Sequence, residues 1–202
     1  MSRGWMFIAA AAIAALTQFP FSQIEGGRTL MAQATGPIAV VMETSEGTVK
    51  MELWPDKAPI TVLNFLTYVK EKFYDGTIFH RVIPDFMIQG GGFTPDMTQK
   101  KTHAQIKNEA KADVTNVRGT LAMARTKVVD SATAQFFINL RDNPNLNHED
   151  ETEQGFGYCV FGKVTAGMDV VDKIAKVKTK SIGVYDNVPA TTVTIKSIKK
   201  AE

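Results

Sequence analysis

A single cysteine, Cys159, occurs in the 202 residues. No intramolecular disulfide can form, so stability must come from a packed core rather than covalent staples. Tyr158, Val160 and Phe161 beside it read as a strand, in which a lone cysteine packs as a small hydrophobe. No His/Asn partner pattern accompanies it, which argues against a catalytic thiol. Histidine is almost as scarce, with only His80, His103 and His148. His103 has no second His, Cys or carboxylate at metal-ligand spacing, no pair of the three has a nucleophile near in sequence, and no metal site is expected. His103 reads as a surface residue and His80 as a hydrogen-bonded core histidine rather than a base. An excess of one charge is also missing. With 23 basic and 21 acidic residues the net charge is +2, which is not the footprint of a nucleic-acid binder. The lysines gathered after Lys163 are interrupted by Asp169, Asp172 and Asp186 and read as a solvated face. Gly90-Gly91-Gly92 is not a GxGxxG run opening a helix, so no phosphate cradle and no cofactor is expected.

What is present is a 44% hydrophobic content, enough for one domain with a real core. Residues 1–34 differ from the rest. Arg3 supplies a short positive start, Trp5 to Leu16 is an uncharged, alanine-rich apolar run, and Ala32-Gln33-Ala34 is a small-x-small pattern. Together they read as a secretory signal peptide, with residues 35–202 as the folded domain in a periplasmic or secreted protein. Two other readings stay open. The apolar run could remain as an uncleaved membrane anchor, although it falls short of the about twenty residues of a spanning helix. Translation from Met31 would instead leave a cytoplasmic protein.

Further on, Ile38 to Thr44 is an apolar strand, Ser45-Glu46-Gly47 a turn, and Val49, Met51 and Leu53 alternate with Lys50 and Glu52 as a strand with one buried face. Pro59 suits the first turn of a helix, and Val62, Phe65, Leu66 and Val69 give it one apolar stripe. Phe79 to Phe93 reads as two short strands joined at Pro84-Asp85 and closed by glycines. Residues 94–116 read as a long polar loop. In a strand from Gly119 to Ala124, Leu121 and Met123 share a bulky face while Thr120, Ala122 and Ala124 keep the other small. From Gln135 to Leu140, Phe136, Ile138 and Leu140 face the core. Phe137 then stands between Gln135 and Asn139 on a polar face, as the wall of a pocket whose floor is the small-residue face. Residues 141–157 form a solvated loop in which Leu146 can close that pocket. Gly157 to Lys163 is a strand, Met168, Val171, Ile174 and Ala175 stripe a second helix, and Val193 and Ile195 belong to a closing strand. The order is mainly antiparallel β with two helices, and closure into a barrel would remove the edges.

The run FHRVIPDFMIQGGGFT from Phe79 resembles, nearly residue for residue, the signature of the cyclophilin family of peptidyl-prolyl isomerases. Gly119 to Ala124, Gln135 to Ile138 and Val160 to Val164 also match, in the family's order, and the likeness spans roughly residues 38–199. The resemblance implies a closed eight-stranded antiparallel β-barrel capped by two α-helices. It implies a monomeric isomerase acting on proline-containing peptides and unfolded protein clients. It gives Arg81 the catalytic role and places the proline ring among Phe86, Met87, Phe137 and Leu146. Gln89 and Gln135 correspond to groups that bind substrate backbone, and Ala124 and the backbone near Arg125 to the groove wall. Three residues depart from the family pattern. Asn145 stands where many members have tryptophan, Tyr158 where many have histidine, and Arg125 where asparagine is usual. The first implies weak binding of cyclosporin-type cyclic peptides. The same groove would also serve a binding module that merely holds clients, and turnover of an X-Pro peptide separates that reading from an enzyme.

Overall fold

The computed structural model describes residues 36–201. The expected signal peptide or anchor, with its cleavage pattern at Ala34, lies outside them. Among the described residues no helix is long and apolar enough to cross a membrane. β1 (Ile38–Thr44) and β2 (Thr48–Leu53) form the first hairpin. They pair from Ile38 opposite Leu53 to Glu43 opposite Thr48. The alternation read from the sequence sends Val40, Met42, Val49, Met51 and Leu53 into the core.

Helix α1 (Pro59–Lys70) starts at the proline, as its fixed φ favours. Ala58, the residue before it, has no side chain with which to cap. The exposed N–H groups are met instead by Glu109, whose carboxylate accepts from the Ile60 and Thr61 amides at 3.1 and 2.8 Å and from Thr61 Oγ1 at 2.8 Å. The buried line is Thr61, Val62, Phe65 and Tyr68, while Leu66 and Val69 are only half-buried. The helix is thus rolled slightly from the stripe expected, because Tyr68 packs its ring on Phe73 and accepts a bond at its hydroxyl from the His103 amide. Phe65 meets the rings of Tyr74, Phe136 and Phe161 at 5.0, 5.5 and 5.2 Å. Each such pair contributes about 0.5–1.5 kcal/mol beyond area burial.

β3 (Phe79–Ile83), β4 (Met87–Gly90), β5 (Thr120–Met123), β6 (Phe136–Asn139) and β7 (Val160–Ala166) follow, with the expected turn at Pro84-Asp85 and no helix or strand between Thr94 and Asn116. Helix α2 (Met168–Ala175) buries Val171, Ile174 and Ala175. A hairpin not anticipated from the sequence, β8 (Thr179–Ile182) with β9 (Tyr185–Pro189), precedes β10 (Ile195–Lys200). Its residues are mostly exposed, so no alternation marks it.

The main sheet has eight antiparallel strands in the order β10-β1-β2-β7-β5-β6-β4-β3. The closed barrel implied by the resemblance is not formed: the sheet is an open half-barrel. Its edge strands β3 and β10 do not pair as strands. Among the described residues an isolated bridge between Ile78 and Thr194 and a bond from the Gly76 amide to the Ile195 carbonyl at 2.9 Å join the seam. Amides of Phe79 and Ile195 reach the carbonyls of Val193 and Thr77 there, at 3.0 and 2.7 Å. Val193 is buried there but lies before β10, and the register of β10 on β1 slips between Glu43 and Thr44. The alternation at Val193 and Ile195 therefore marks the seam, not the body of the closing strand.

Candidate active site

The sheet has two apolar faces. Leu121, Met123, Phe136, Ile138 and Leu140 enter the main core, as their alternation requires. The opposite face carries a smaller cluster of Met87, Val114, Ala122, Phe137 and Val160, with Phe86, Ala124, Leu146 and Tyr158 packed against it. Phe137 is therefore not an exposed aromatic on a polar face: it is 4% exposed. Asn139, expected beside it on that face, is fully buried.

Register decides what meets on this face. Arg81 pairs with Gln89, Gln89 with Phe137, Phe137 with Ala122 and Ala122 with Val160. These residues make one row across five strands. The cation and amide stand at one end and the ring and a small side chain at the other. Ala122 is fully buried in the cluster beneath, and Ala124, the next small residue on that face, lines the opening. A cavity of about 250 Å³ results, lined by Arg81, Phe86, Met87, Gln89, Ala124, Arg125, Phe137, Leu146 and Tyr158. It unites every expected site residue except Gln135. Gln135 lies just outside, where its Oε1 accepts from Gln89 Nε2 at 3.0 Å. Gly92 makes room for it, since a Cβ there would stand 2.4 Å from Gln135 Cγ.

Leu146 is brought to the cavity by a single 3₁₀ turn, Pro144–Leu146. The loop carrying it is not merely solvated. Asn143, fully buried, donates to the Phe86 carbonyl at 3.0 Å and to Asn139 Oδ1 at 2.8 Å. Asn139 donates onward to Asn116 Oδ1 and Thr120 Oγ1 at 3.1 and 2.9 Å, and Asn116 Nδ2 reaches the Leu146 carbonyl at 2.9 Å. Removing a member would leave buried partners unsatisfied, at about 1–3 kcal/mol each. Sequence reasoning missed this network; its one available signal was the density of asparagines from Asn139 to Asn147.

Arg125 contributes more than backbone. Its Nε donates to the Gly157 carbonyl at 2.9 Å, Nη1 to Thr126 and Lys127, and Nη2 to the Glu153 carbonyl at 2.7 Å. Its guanidinium lies over the Tyr158 ring at 4.9 Å, and that ring meets Phe137 edge-on at 5.7 Å. The planar fork staples the loops behind the cavity, which the usual asparagine is too short to do. By contrast, none of the described ion pairs involves Arg81.

His80, next to Arg81, is buried; its Nδ1 has no hydrogen-bond partner among the described residues, while the Ile78 backbone and the Gln135 side chain lie within bonding reach of its ring. Burial, reinforced by the Arg81 charge, lowers its pKa to about 4, which leaves it neutral near pH 7. His103 is exposed and bonds Glu71 at 2.7 Å. Cys159 is buried against Thr61, and burial pushes its thiol up to about 11. A thiol so placed is a poor nucleophile. Among the described residues no three His, Cys, Asp or Glu side chains gather to hold a metal.

Residues 39–200 match the family model of the cyclophilin type peptidyl-prolyl cis-trans isomerase/CLD. The chain belongs to the cyclophilin-type peptidyl-prolyl cis-trans isomerase family. The chain is 55% identical to the peptidyl-prolyl cis-trans isomerase of Acinetobacter baylyi, over 86% of this chain and 91% of that one. It is likewise 55% identical to peptidyl-prolyl cis-trans isomerase B of Escherichia coli, over 81% and 99%. A solved cyclophilin type isomerase from Cryptosporidium parvum superposes with a TM-score of 0.72 at 27% identity, covering 83% of this chain and 99% of its own. Another structure of that protein, determined in the presence of the dipeptide Ala-Pro, gives 0.70 at 28% identity. The protein is a peptidyl-prolyl cis-trans isomerase.

Within this cyclophilin, Asn145 is exposed on the 3₁₀ turn and lines the cavity next to the one containing Arg81. It offers no ring and no indole N–H to a bound cyclic peptide. Weak binding of cyclosporin is expected, with tighter binding in Asn145→Trp. Calorimetric titration of both proteins checks this, and a tight wild-type complex would show that the loop anchors the ligand by other means.

Proposed function

We propose that the cavity beside Arg81 holds the proline ring of an X-Pro segment and that Arg81 is the catalytic residue. The peptide bond is planar by resonance, with a rotation barrier of about 18–20 kcal/mol. No covalent intermediate is needed; the site has to bind the twisted amide better than either planar form. Twisting localises the lone pair on the prolyl nitrogen. A guanidinium donor at that nitrogen then stabilises the twisted state alone. Phe86, Met87, Phe137 and Leu146 pack the ring. Gln89, Gln135, Ala124 and the backbone at Arg125 bind the flanking chain, and Tyr158 backs the Phe137 ring. The observation that carries this reading is the cross-strand row that stands Arg81, outside all the described ion pairs, beside the Phe86, Met87, Phe137 and Leu146 side chains in one cavity. The Cryptosporidium parvum isomerase, whose structure was determined in the presence of Ala-Pro, supports proline-containing peptides as occupants.

The test is exchange kinetics on a short X-Pro peptide, with affinity measured separately. Turnover that depends on Arg81 supports the proposal. Binding with turnover indifferent to Arg81 supports a holdase whose groove only grips.

We further propose that the clients are exported proteins and that this cyclophilin is itself exported by residues 1–34. Arg3, the apolar run from Trp5 to Leu16 and Ala32-Gln33-Ala34 support this. Protein from the native host is expected to begin at Thr35, as read by intact mass. An intact Met1 in the membrane fraction would make the segment an anchor, and a start at Met31 or Ala32 would indicate a cytoplasmic protein.

A further inference from the structure

Arg81 and Gln89 line a second cleft as well as the first. It holds about 450 Å³, with Gln135 and Phe93 on the sheet side and Val184, Tyr185 and Asp186 of the β8–β9 hairpin as its far wall. The hairpin is fixed there by a ladder of rings. His80 packs at a tilt against Phe93 at 4.5 Å, and Phe93 meets Tyr185 edge-on at 5.3 Å. The tip turns at Gly183, whose φ of +56° suits glycine, and it presents Val184 89% exposed. Asp186 is exposed and enters none of the described ion pairs. Its Oδ1 accepts from Ser181 Oγ at 2.6 Å, which orients the carboxylate and leaves Oδ2 unengaged among the described residues.

We propose that this cleft is a second substrate subsite, taking a lysine or arginine side chain one or two residues from the reacting proline. The inference rests on Arg81 and its cavity being the prolyl site. Successive residues of an extended chain advance about 3.3–3.6 Å, so a peptide with its ring in the first cavity carries its neighbours past Arg81 into the second. What waits there is a mixed surface: Phe93, Val184 and Tyr185 are apolar, and Gln89, Gln135 and Asn187 are polar. Arg81 stands at the near side, and the Asp186 carboxylate lies on the far wall. A long cationic side chain lays its methylene stem on Val184 and Tyr185 and delivers its head to Asp186. A carboxylate at the same position has the opposite effect, because its shorter stem meets Arg81 first and draws the guanidinium away from the prolyl nitrogen. The chain as a whole carries a net charge of +2. A preference for basic peptides therefore comes from this local carboxylate and not from the overall field.

The experiment compares kcat/KM, at low ionic strength, for peptides with Lys or Met at each of the two positions on either side of an Ala-Pro core. Lys and Met have stems of similar length, so the comparison isolates the charge. In the wild-type protein the Lys peptide is expected to exceed its Met counterpart at one position by roughly three- to fivefold, the scale of a partly exposed ion pair. The advantage shrinks with added salt. In Asp186→Asn, where the amide oxygen still accepts from Ser181, the ratio falls to about one. Equal rates for Lys and Met at every position, or an advantage retained in Asp186→Asn, overturns the subsite alone. Failure of wild-type protein to turn over the Met peptides at all overturns the prolyl site on which it rests.

Discussion

Arg81→Ala lowers turnover of an X-Pro peptide by about one to two orders of magnitude while leaving peptide affinity nearly unchanged. Charge-assisted hydrogen bonds are worth roughly 1.5–3 kcal/mol, and each 1.36 kcal/mol is about tenfold in rate. The proposed bond to the prolyl nitrogen exists only as the amide twists, so its loss falls on the rate and not on the ground state. No carboxylate competes for the guanidinium, since none of the described ion pairs includes it. Arg81→Lys does not restore full activity, because a flexible point charge replaces a planar fork. Phe137→Ala behaves differently. The ring lies at the centre of the cluster under the cavity and packs on planar and twisted proline alike, so affinity and turnover fall together. Exchange kinetics with separate affinity measurements resolve the two patterns. If Arg81→Ala isomerises as fast as wild type while Phe137→Ala no longer binds, the groove is a binding site and the catalytic role of Arg81 is lost.

Acid destabilises the fold through His80. Its ordinary pKa of 6.5 falls to about 4 in the folded protein, from burial first and the Arg81 charge second. Between those values the unfolded chain binds a proton that the native state does not. Stability therefore rises with pH across this window, is fully present above about 6.5, and is lost as pH falls toward 4. At 1.36 kcal/mol per unit the whole effect is roughly 3 kcal/mol. The orphan Nδ1 makes the substitution tolerable, because His80→Gln gives up no side-chain bond made by that atom. Urea unfolding of wild type and His80→Gln at pH 7.5 and pH 4.5 isolates the contribution from that of the carboxylates. The wild type is expected to lose about 2 kcal/mol more than the variant over that interval. Equal losses would mean that His80 is protonated in the native state, its charge held by the Ile78 backbone and the Gln135 side chain.

Much of this architecture was legible because its signals are local. Alternation in β1, β2, β5 and β6, the proline at the start of α1 and the turn at Pro84-Asp85 depend on a few neighbouring residues, and the structure keeps them. The motif from Phe79 to Thr94 named the family, and its residues from Arg81 to Gln89 converge on the expected cavity. Contacts between distant segments decided the rest. The cap of α1 comes from Glu109, far along a loop that reads only as polar. The face carrying Phe137 looked solvated because alternation counts polar residues without knowing what covers them. Asn139 is buried there because Asn116 and Thr120, from the stretch entering β5, and Asn143, from the loop after β6, satisfy its amide. The half-barrel stays open because β3 and β10 do not pair as strands. The hairpin beside Arg81 left no trace in the hydrophobic pattern, since its strands bury little and are held in place by Phe93 from another part of the chain. Sequence by itself determined the two helices and most strands of the main sheet, and it singled out Arg81 as the proposed catalytic cation. Only the tertiary structure decided which groups stand around it, because that depends on register across five strands and on bonds that close long loops.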